Sequence, residues 1–141
     1  MNLPSIQQIS CGSNFTLCLT NDGYLYSFGS NNYGQLGIGR NTNDEHPPQM
    51  IESLQDVEFV ICGGTFAFCK TLDNIVYCWG KNTDGQLGVG NTDDVYLPYK
   101  SLTCPDDVVD IKCGSEHTLL LTSNRYVYSC GTNQFGIRQR V

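Results

Sequence analysis

The chain has 141 residues, of which 40% are hydrophobic, 11% aromatic and 16% charged, with a formal net charge of −6. That composition can fill a core and is unlike that of a disordered chain. Excess acid and scattered Lys and Arg argue against a protein that grips a nucleic-acid backbone, and no run of about 18 apolar residues is present to cross a bilayer as a helix.

From the start of the chain, Met1–Gln8 carries neither a basic stretch nor an apolar one, so no secretory leader is expected. The compartment expected is reducing and intracellular, cytoplasmic or nuclear. The segment Gly29-Ser-Asn-Asn-Tyr-Gly-Gln-Leu-Gly-Ile-Gly39 returns 51 residues later as Gly80-Lys-Asn-Thr-Asp-Gly-Gln-Leu-Gly-Val-Gly90. A degraded third copy opens at Gly131-Thr-Asn133, a further 51 residues on, and reaches Gly136. A fixed period of this length marks supersecondary units that are stacked or arranged in a circle. The repeats are expected at about 9–59, 60–110 and 111–141, the last truncated, in one domain spanning 1–141.

Each copy reads as the same run of strands. A first strand passes through Ile9, Val60 or Ile111 and ends at Gly12, Gly63 or Gly114. A second runs Phe15–Thr20, Phe66–Thr71 and His117–Thr122, and a third Tyr24–Phe28, Ile75–Trp79 and Tyr126–Cys130. These β-branched and aromatic runs punctuated by glycine predict strands. Asp22-Gly23, Asp73-Asn74 and Asn124-Arg125 are expected as two-residue hairpin turns with positive φ at both central residues, at a steric cost for Arg125.

The second strands do not alternate apolar with polar, as in Thr16-Leu-Cys-Leu19 and Ala67-Phe-Cys69. Continuous apolar runs belong to strands covered on both faces. Hairpin strands covered in that way lie in a sheet packed between two other sheets, the arrangement of a propeller blade. A β-sandwich is the competing all-β arrangement, but it leaves the regular 51-residue copy without a reason. Past each Gly-Gln-Leu-Gly, a polar loop (Arg40–Glu45, Asn91–Asp94) precedes Pro47-Pro48 or Pro98, so Gln49–Ile51 and Tyr99–Leu102 are expected as short outer strands, the edge position to which proline is confined.

Eight cysteines are present. Cys18 and Cys69 share a repeat position with Leu120, which marks that position as apolar filling rather than a bond or a ligand. No Cys-x-x-Cys occurs and only His46 and His117 are available, so no structural metal and no cofactor is expected. Gly29 and Gly34 have the spacing of a phosphate loop, but Gln35-Leu36 stands where Lys and Ser/Thr would be needed. Asn31, Asn82 and Asn133 recur and are expected to bond backbone within turns. Glu116-His117 is a His–carboxylate neighbour pair with no nucleophile assigned to it. The acidic pairs Asp44-Glu45 and Asp93-Asp94, read as loop residues, are candidates with Glu116 and His117 for meeting a basic partner.

The pattern Val/Ile-x-Cys-Gly, a strand ending in Thr, then Tyr-x-x-Gly-x-Asn-x-x-Gly-Gln-Leu-Gly-x-Gly resembles the repeat of the regulator of chromosome condensation family. The resemblance covers nearly the whole chain. It implies an all-β fold of antiparallel propeller blades, about three of them, open or completed by self-association through the terminal blades. It also implies a protein-interaction module or scaffold without catalytic residues, with guanine-nucleotide exchange on a Ran-class small GTPase as the alternative. The family's usual His-Thr at the start of the second strand survives only at His117-Thr118; Phe15-Thr16 and Phe66-Ala67 replace it elsewhere. No direct DNA contact and no membrane contact is expected.

Overall fold

The computed structural model describes residues 2–133. Among them are eleven strands in three antiparallel sheets. The first sheet joins β1 (Ile6–Cys11), β2 (Phe15–Thr20), β3 (Leu25–Asn31) and β4 (Thr42–Met50) in that order. The second joins β5 (Val57–Cys62), β6 (Phe66–Thr71), β7 (Val76–Gly80) and β8 (Val95–Lys100). The third joins β9 (Val108–Cys113), β10 (His117–Thr122) and β11 (Val127–Gly131). Each sheet is a meander, and neighbouring sheets meet through their first strands, β1 against β5 and β5 against β9. The fold is all-β, and its sheets are propeller blades. Among the described residues, no helix is long and apolar enough to cross a membrane.

The second strands lie where the apolar runs put them. All six positions of β6 are buried, because the second blade has a neighbour on each side. In β10 buried positions alternate with partly exposed ones. Two apolar clusters fill the joints. Leu17, Leu19, Leu25 and Leu36 of the first blade meet Val60, Cys69 and Trp79 of the second. Phe66, Phe68, Val76 and Leu87 of the second meet Val108, Ile111 and Leu120 of the third. Burying a leucine or phenylalanine side chain in this way contributes about 1.5–3 kcal/mol. Cys18, Cys69 and Leu120 are all buried, with 5%, 0% and 9% exposure, so one repeat position takes a thiol or an isobutyl group as filling.

Two glycine positions hold the strand ends together. Gly29, Gly80 and Gly131 have φ of 107°, 101° and 105°. A Cβ on them would lie 2.5, 2.6 and 2.3 Å from the carbonyl oxygens of Asn14, Thr65 and Glu116. Only glycine permits both the backbone conformation and the approach. On Gly12, Gly63 and Gly114 the obstacle is a ring, since a Cβ would fall 2.0, 2.2 and 2.1 Å from atoms of Phe15, Phe66 and His117. The imidazole of His117 therefore takes the seat that a phenyl ring takes in the other two blades.

The hairpin turns differ from expectation. Only the second residue of each pair has positive φ: Gly23 at 83°, Asn74 at 65° and Arg125 at 70°. Gly23 N donates to Thr20 O at 3.0 Å, and Arg125 N donates to Thr122 O at 2.9 Å. The turn is of type I followed by one left-handed residue, a three-residue connection. The threonine that ends each second strand favours it, because Thr20 Oγ1 accepts Tyr24 N and Thr122 Oγ1 accepts Tyr126 N.

The outer strands also differ. β4 begins at Thr42, not near Gln49, and runs nine residues. Its pairing with β3 slips twice, between Ser27↔Gln49, Gly29↔His46 and Asn31↔Thr42. Pro47 and Pro48 sit in the first slip, where a missing N–H costs the ladder nothing. Asp44 and Glu45 are therefore strand residues at the sheet edge rather than loop residues. β8 keeps Pro98 in the same way, between the pairs Cys78↔Tyr99 and Gly80↔Val95.

Candidate interaction site at the turn end of the blades

The repeated Gly-x-Asn-x-x-Gly-Gln-Leu-Gly segment forms a tight coil between the third strand and the outer strand. Asn31 and Asn82 are its centre, each 0% exposed. Asn31 Oδ1 accepts Leu36 N at 3.2 Å while its Nδ2 donates to Arg40 O at 2.9 Å. Asn82 repeats this with Leu87 N at 3.0 Å and Asn91 O at 2.9 Å. Gln35 Oε1 accepts Tyr33 N, and Gln86 Oε1 accepts Asp84 N, each at 2.9 Å. The polar residues of the motif are thus occupied by their own backbone, which is what an Asx-type turn demands. The phosphate-loop spacing is a structural coil.

That coil is also the latch between blades. Trp79 Nε1 in the second blade donates to Gln35 O in the first at 2.9 Å. At the next joint Thr118 Oγ1 and Cys130 Sγ donate to Gln86 O, at 2.9 and 3.2 Å. Position 67 is alanine and carries no hydroxyl, so the indole of Trp79 replaces the threonine. The sequence offered a signal for this, the single tryptophan standing where the other copies have Phe28 and Cys130.

At this end the three blades converge on Lys81. Its Nζ lies 5.5 Å from the ring centroid of Tyr33 in the first blade, 3.8 Å from Asp84 in its own and 3.3 Å from Glu116 in the third. The equivalent of Lys81 in the first blade is Ser30, whose Oγ accepts Gln35 Nε2 at 3.4 Å. Lysine cannot accept, and Gln86 Nε2 is buried without a partner among the described residues. Neither Lys81 nor Tyr33 stood out in the sequence, because each differs from its own repeat equivalents and single departures carry no pattern.

The predicted candidates separate. Glu116 belongs to the Lys81 cluster. His117 lies beside it in the chain, but its ring packs on Gly114. Asp94 Oδ1 accepts Asn82 N at 2.8 Å and so serves the coil. Asp93 is exposed at the same end. Asp44 and Glu45 are exposed on β4, and the neighbouring His46 Nε2 shares a hydrogen bond with Thr42 Oγ1 at 2.6 Å. Among the described residues, no group of three or more His, Cys, Asp or Glu is placed to hold a metal. Cys11, Cys18, Cys62, Cys69, Cys78, Cys104 and Cys113 carry free thiols. Burial pushes Cys62 and Cys113 up to about 12 and Cys104 up to about 11, and it raises Cys69 and Cys78 as well. These thiols are protonated filling, not nucleophiles.

Comparison with known proteins agrees with this architecture. The family model described as the regulator of chromosome condensation (RCC1) repeat matches residues 22–69 and 73–121. A second model of the same repeat matches 6–35, 59–86 and 108–137. The chain is 39% identical to the serine/threonine-protein kinase Nek9 of Xenopus laevis, over 92% of its own length and 14% of that protein's. It is 36% identical to the probable E3 ubiquitin-protein ligase HERC3 of Homo sapiens, over 96% of its own length and 13% of that protein's. Among solved structures, human WBSCR16 superposes with a TM-score of 0.81 at 26% identity, covering 92% of this chain and 34% of the other. Prp20p of Saccharomyces cerevisiae, described with its binding properties to Gsp1p and histones, superposes with a TM-score of 0.79 at 30% identity, covering 95% and 32%. The chain spans about one-seventh of these curated relatives and about one-third of these solved propellers. With two blade-long matches, shared joints and shared coils, the chain belongs to the regulator of chromosome condensation repeat family.

Proposed function

We propose that this chain is a non-enzymatic protein-interaction module whose turn end meets a partner with a basic surface. One observation carries the reading: Asn31, Gln35, Asn82 and Gln86 are 0–2% exposed and bonded to their own coils, which leaves recognition to the side chains standing above them. Tyr33, Asp84, Asp93 and Glu116 stand there, with Asp44 and Glu45 on the adjoining edge. Lys81 neutralises part of that acidity and orients it. The net charge of −6 favours encounter with a cation-rich protein through steering. Histones, named for Prp20p, have that chemistry. The words kinase and ubiquitin ligase belong to relatives whose remaining six-sevenths this chain does not match.

The experiment is a titration of labelled chain with core histones across a range of salt, for the native chain and for D84K/D93K/E116K. The native chain is expected to bind with a strong salt dependence and the triple variant to lose at least tenfold. Equal binding by both sinks the reading. The alternative is nucleotide exchange on a Ran-class GTPase, supported by the naming of Gsp1p for Prp20p. Accelerated release of labelled GDP from such a GTPase would move that reading ahead. Duplex DNA is expected not to bind.

A further inference from the structure

The end of the molecule opposite the coils breaks its own repeat once, and the break opens onto a groove. At that end the residue before each first strand is tied to the residue after the second. The backbone tie is the same three times: Asn21 N donates to Ser5 O at 2.9 Å, Leu72 N to Asp56 O at 2.8 Å and Ser123 N to Asp107 O at 2.9 Å. A side-chain tie accompanies it in the first and third blades, where Asn21 Nδ2 donates to Ser5 Oγ at 2.8 Å and Ser123 Oγ to Asp107 Oδ2 at 3.0 Å. In the second blade the donor is replaced by Leu72, which is 68% exposed. The Asp56 carboxylate is left without a hydrogen-bond or ion-pair partner among the described residues. Asp56 and Leu72 line a cavity of about 450 Å³ together with Leu54, Asp73 and Tyr77. Ser53 also lines a second cavity, of about 520 Å³, walled by Ile38, Gln49, Met50, Glu52 and Leu97. The two form one groove along the rim of the first joint, and the blades on both sides of it are described along their whole length. Among the described residues no Lys, Arg or His lines either cavity, and Glu52, Asp56 and Asp73 enter no ion pair. Gln49 Nε2 is buried in the wall of the groove with no acceptor among the described residues.

We propose that this groove docks an extended segment of a protein partner, one that carries an apolar side chain and, a few residues on, an arginine. Each part of the groove selects one part of that occupant. Met50 and Leu97, 39% and 52% exposed beside Ile38, gain by being covered with apolar surface. The buried Gln49 Nε2 lacks an acceptor, and a backbone carbonyl of an extended segment supplies one. At the other end Asp56 offers a whole carboxylate. Asp73 offers the oxygen left free when its Oδ1 accepts Thr71 Oγ1. A guanidinium suits them because its planar fork of five donors can serve two carboxylates at once. Its apolar stem lies along Leu54 and Leu72 while the charge stays at the carboxylates. A bare metal cation gains nothing from the apolar half, and a phosphate backbone is repelled by the acidic half. Both cavities fall in the size range of ligand sites. The proposal is independent of the histone reading, since it concerns the rim and the hairpin end and not the coils.

A displayed library of random decapeptides, panned against the folded chain, supplies the probe. The expected result is enrichment of sequences that pair an apolar residue with an arginine at one fixed spacing. Fluorescence polarisation then compares the best peptide on the native chain, on Asp56→Asn and on Leu97→Lys, at about 150 mM salt, where distant charges are screened. Asp56 and Leu97 are both exposed, so both variants are expected to keep the native circular dichroism. Each is expected to weaken the peptide about tenfold, as removal of a charge-assisted bond or an apolar anchor does. Replacing the arginine of the peptide by its neutral analogue citrulline is expected to cost about tenfold on the native chain and little more on Asp56→Asn. The turn-end variant D84K/D93K/E116K is expected to keep the affinity. No enrichment, or enrichment of acidic sequences, overturns the proposal. So does an affinity that either groove variant leaves unchanged or that the turn-end variant abolishes. A chain mass that Leu97→Lys halves in sedimentation also overturns it, because the groove then holds a second copy.

Discussion

The indole of Trp79 is the part most exposed to a decisive test. It is 0% exposed. It lies against Gly37, where a Cβ would be 3.0 Å from Nε1, and its N–H holds Gln35 O across the first joint. Replacing it with alanine removes the largest buried side chain of that joint, at about 3–5 kcal/mol. The carbonyl it leaves behind is desolvated and unpaired, at about 1–3 kcal/mol more. Against a total of roughly 5–15 kcal/mol for a domain, Trp79→Ala is expected to leave the chain largely unfolded at 37 °C. Trp79→Phe keeps a ring but no donor, so it isolates the hydrogen bond and part of the packing, at about 2–3 kcal/mol. The assay is urea unfolding followed by circular dichroism, because Trp79 is the only tryptophan and its removal abolishes the fluorescence probe. The second joint supplies the reverse experiment. There Cys130 holds the same repeat position beside a cavity of about 140 Å³ lined in part by Phe68, Leu87, Leu120 and Tyr128. Cys130→Trp is expected to fill it and stabilise by about 0.5–2 kcal/mol. A Trp79→Ala variant that loses less than about 1 kcal/mol, the size of one ordinary hydrogen bond, would refute the latch.

Other consequences follow from single positions. Arg125 holds φ at 70°, a conformation that costs a non-glycine residue about 1–2 kcal/mol; Arg125→Gly is expected to raise the melting temperature by a few degrees, and no rise would show the turn to be unstrained. His117→Phe restores the ring found at Phe15 and Phe66, so it is expected to leave stability unchanged or slightly higher, while a loss above about 1 kcal/mol would assign the imidazole a role beyond packing. With folded thiols at Cys62 and Cys113 pushed up to about 12 from 9.0, their stabilising contribution is complete below pH 9 and is lost as pH rises toward 12, because the unfolded chain ionises first. The unfolding free energy is expected to fall across that window by about 1.4 kcal/mol per pH unit for each thiol, seen as a falling denaturation midpoint, and Cys62→Ala is expected to flatten the slope.

Part of this molecule is written locally. The strands β2, β6 and β10 run over the stretches that their β-branched and aromatic residues mark out, and glycines stand at the turns that end them. A side-chain period and a left-handed φ are properties of a few adjacent residues, so they are legible one segment at a time. The buried thiols were legible too, since a leucine at the same repeat position could only mean filling. The length of β4 was not. Its first residues Thr42–Glu45 are polar, and they become strand only because β3 offers an edge and two slips absorb the prolines. The hairpin turns took their form from the threonine hydroxyls before them, a competition that the Asp-Gly pair alone does not reveal.

The candidate site divides along the same line. That Asn31 and Asn82 serve their own coils could be read from recurrence. Lys81 as the hub of the site could not, because the three groups around it come from three blades, at positions 33, 84 and 116, brought together only by packing. The 51-residue period and the alternation of glycine with apolar runs sufficed to determine the blade, because those are short-range constraints on one chain segment. Which indole reaches which carbonyl 44 residues away was decided by tertiary structure alone, because contacts between blades depend on how whole sheets stack and no local preference encodes that.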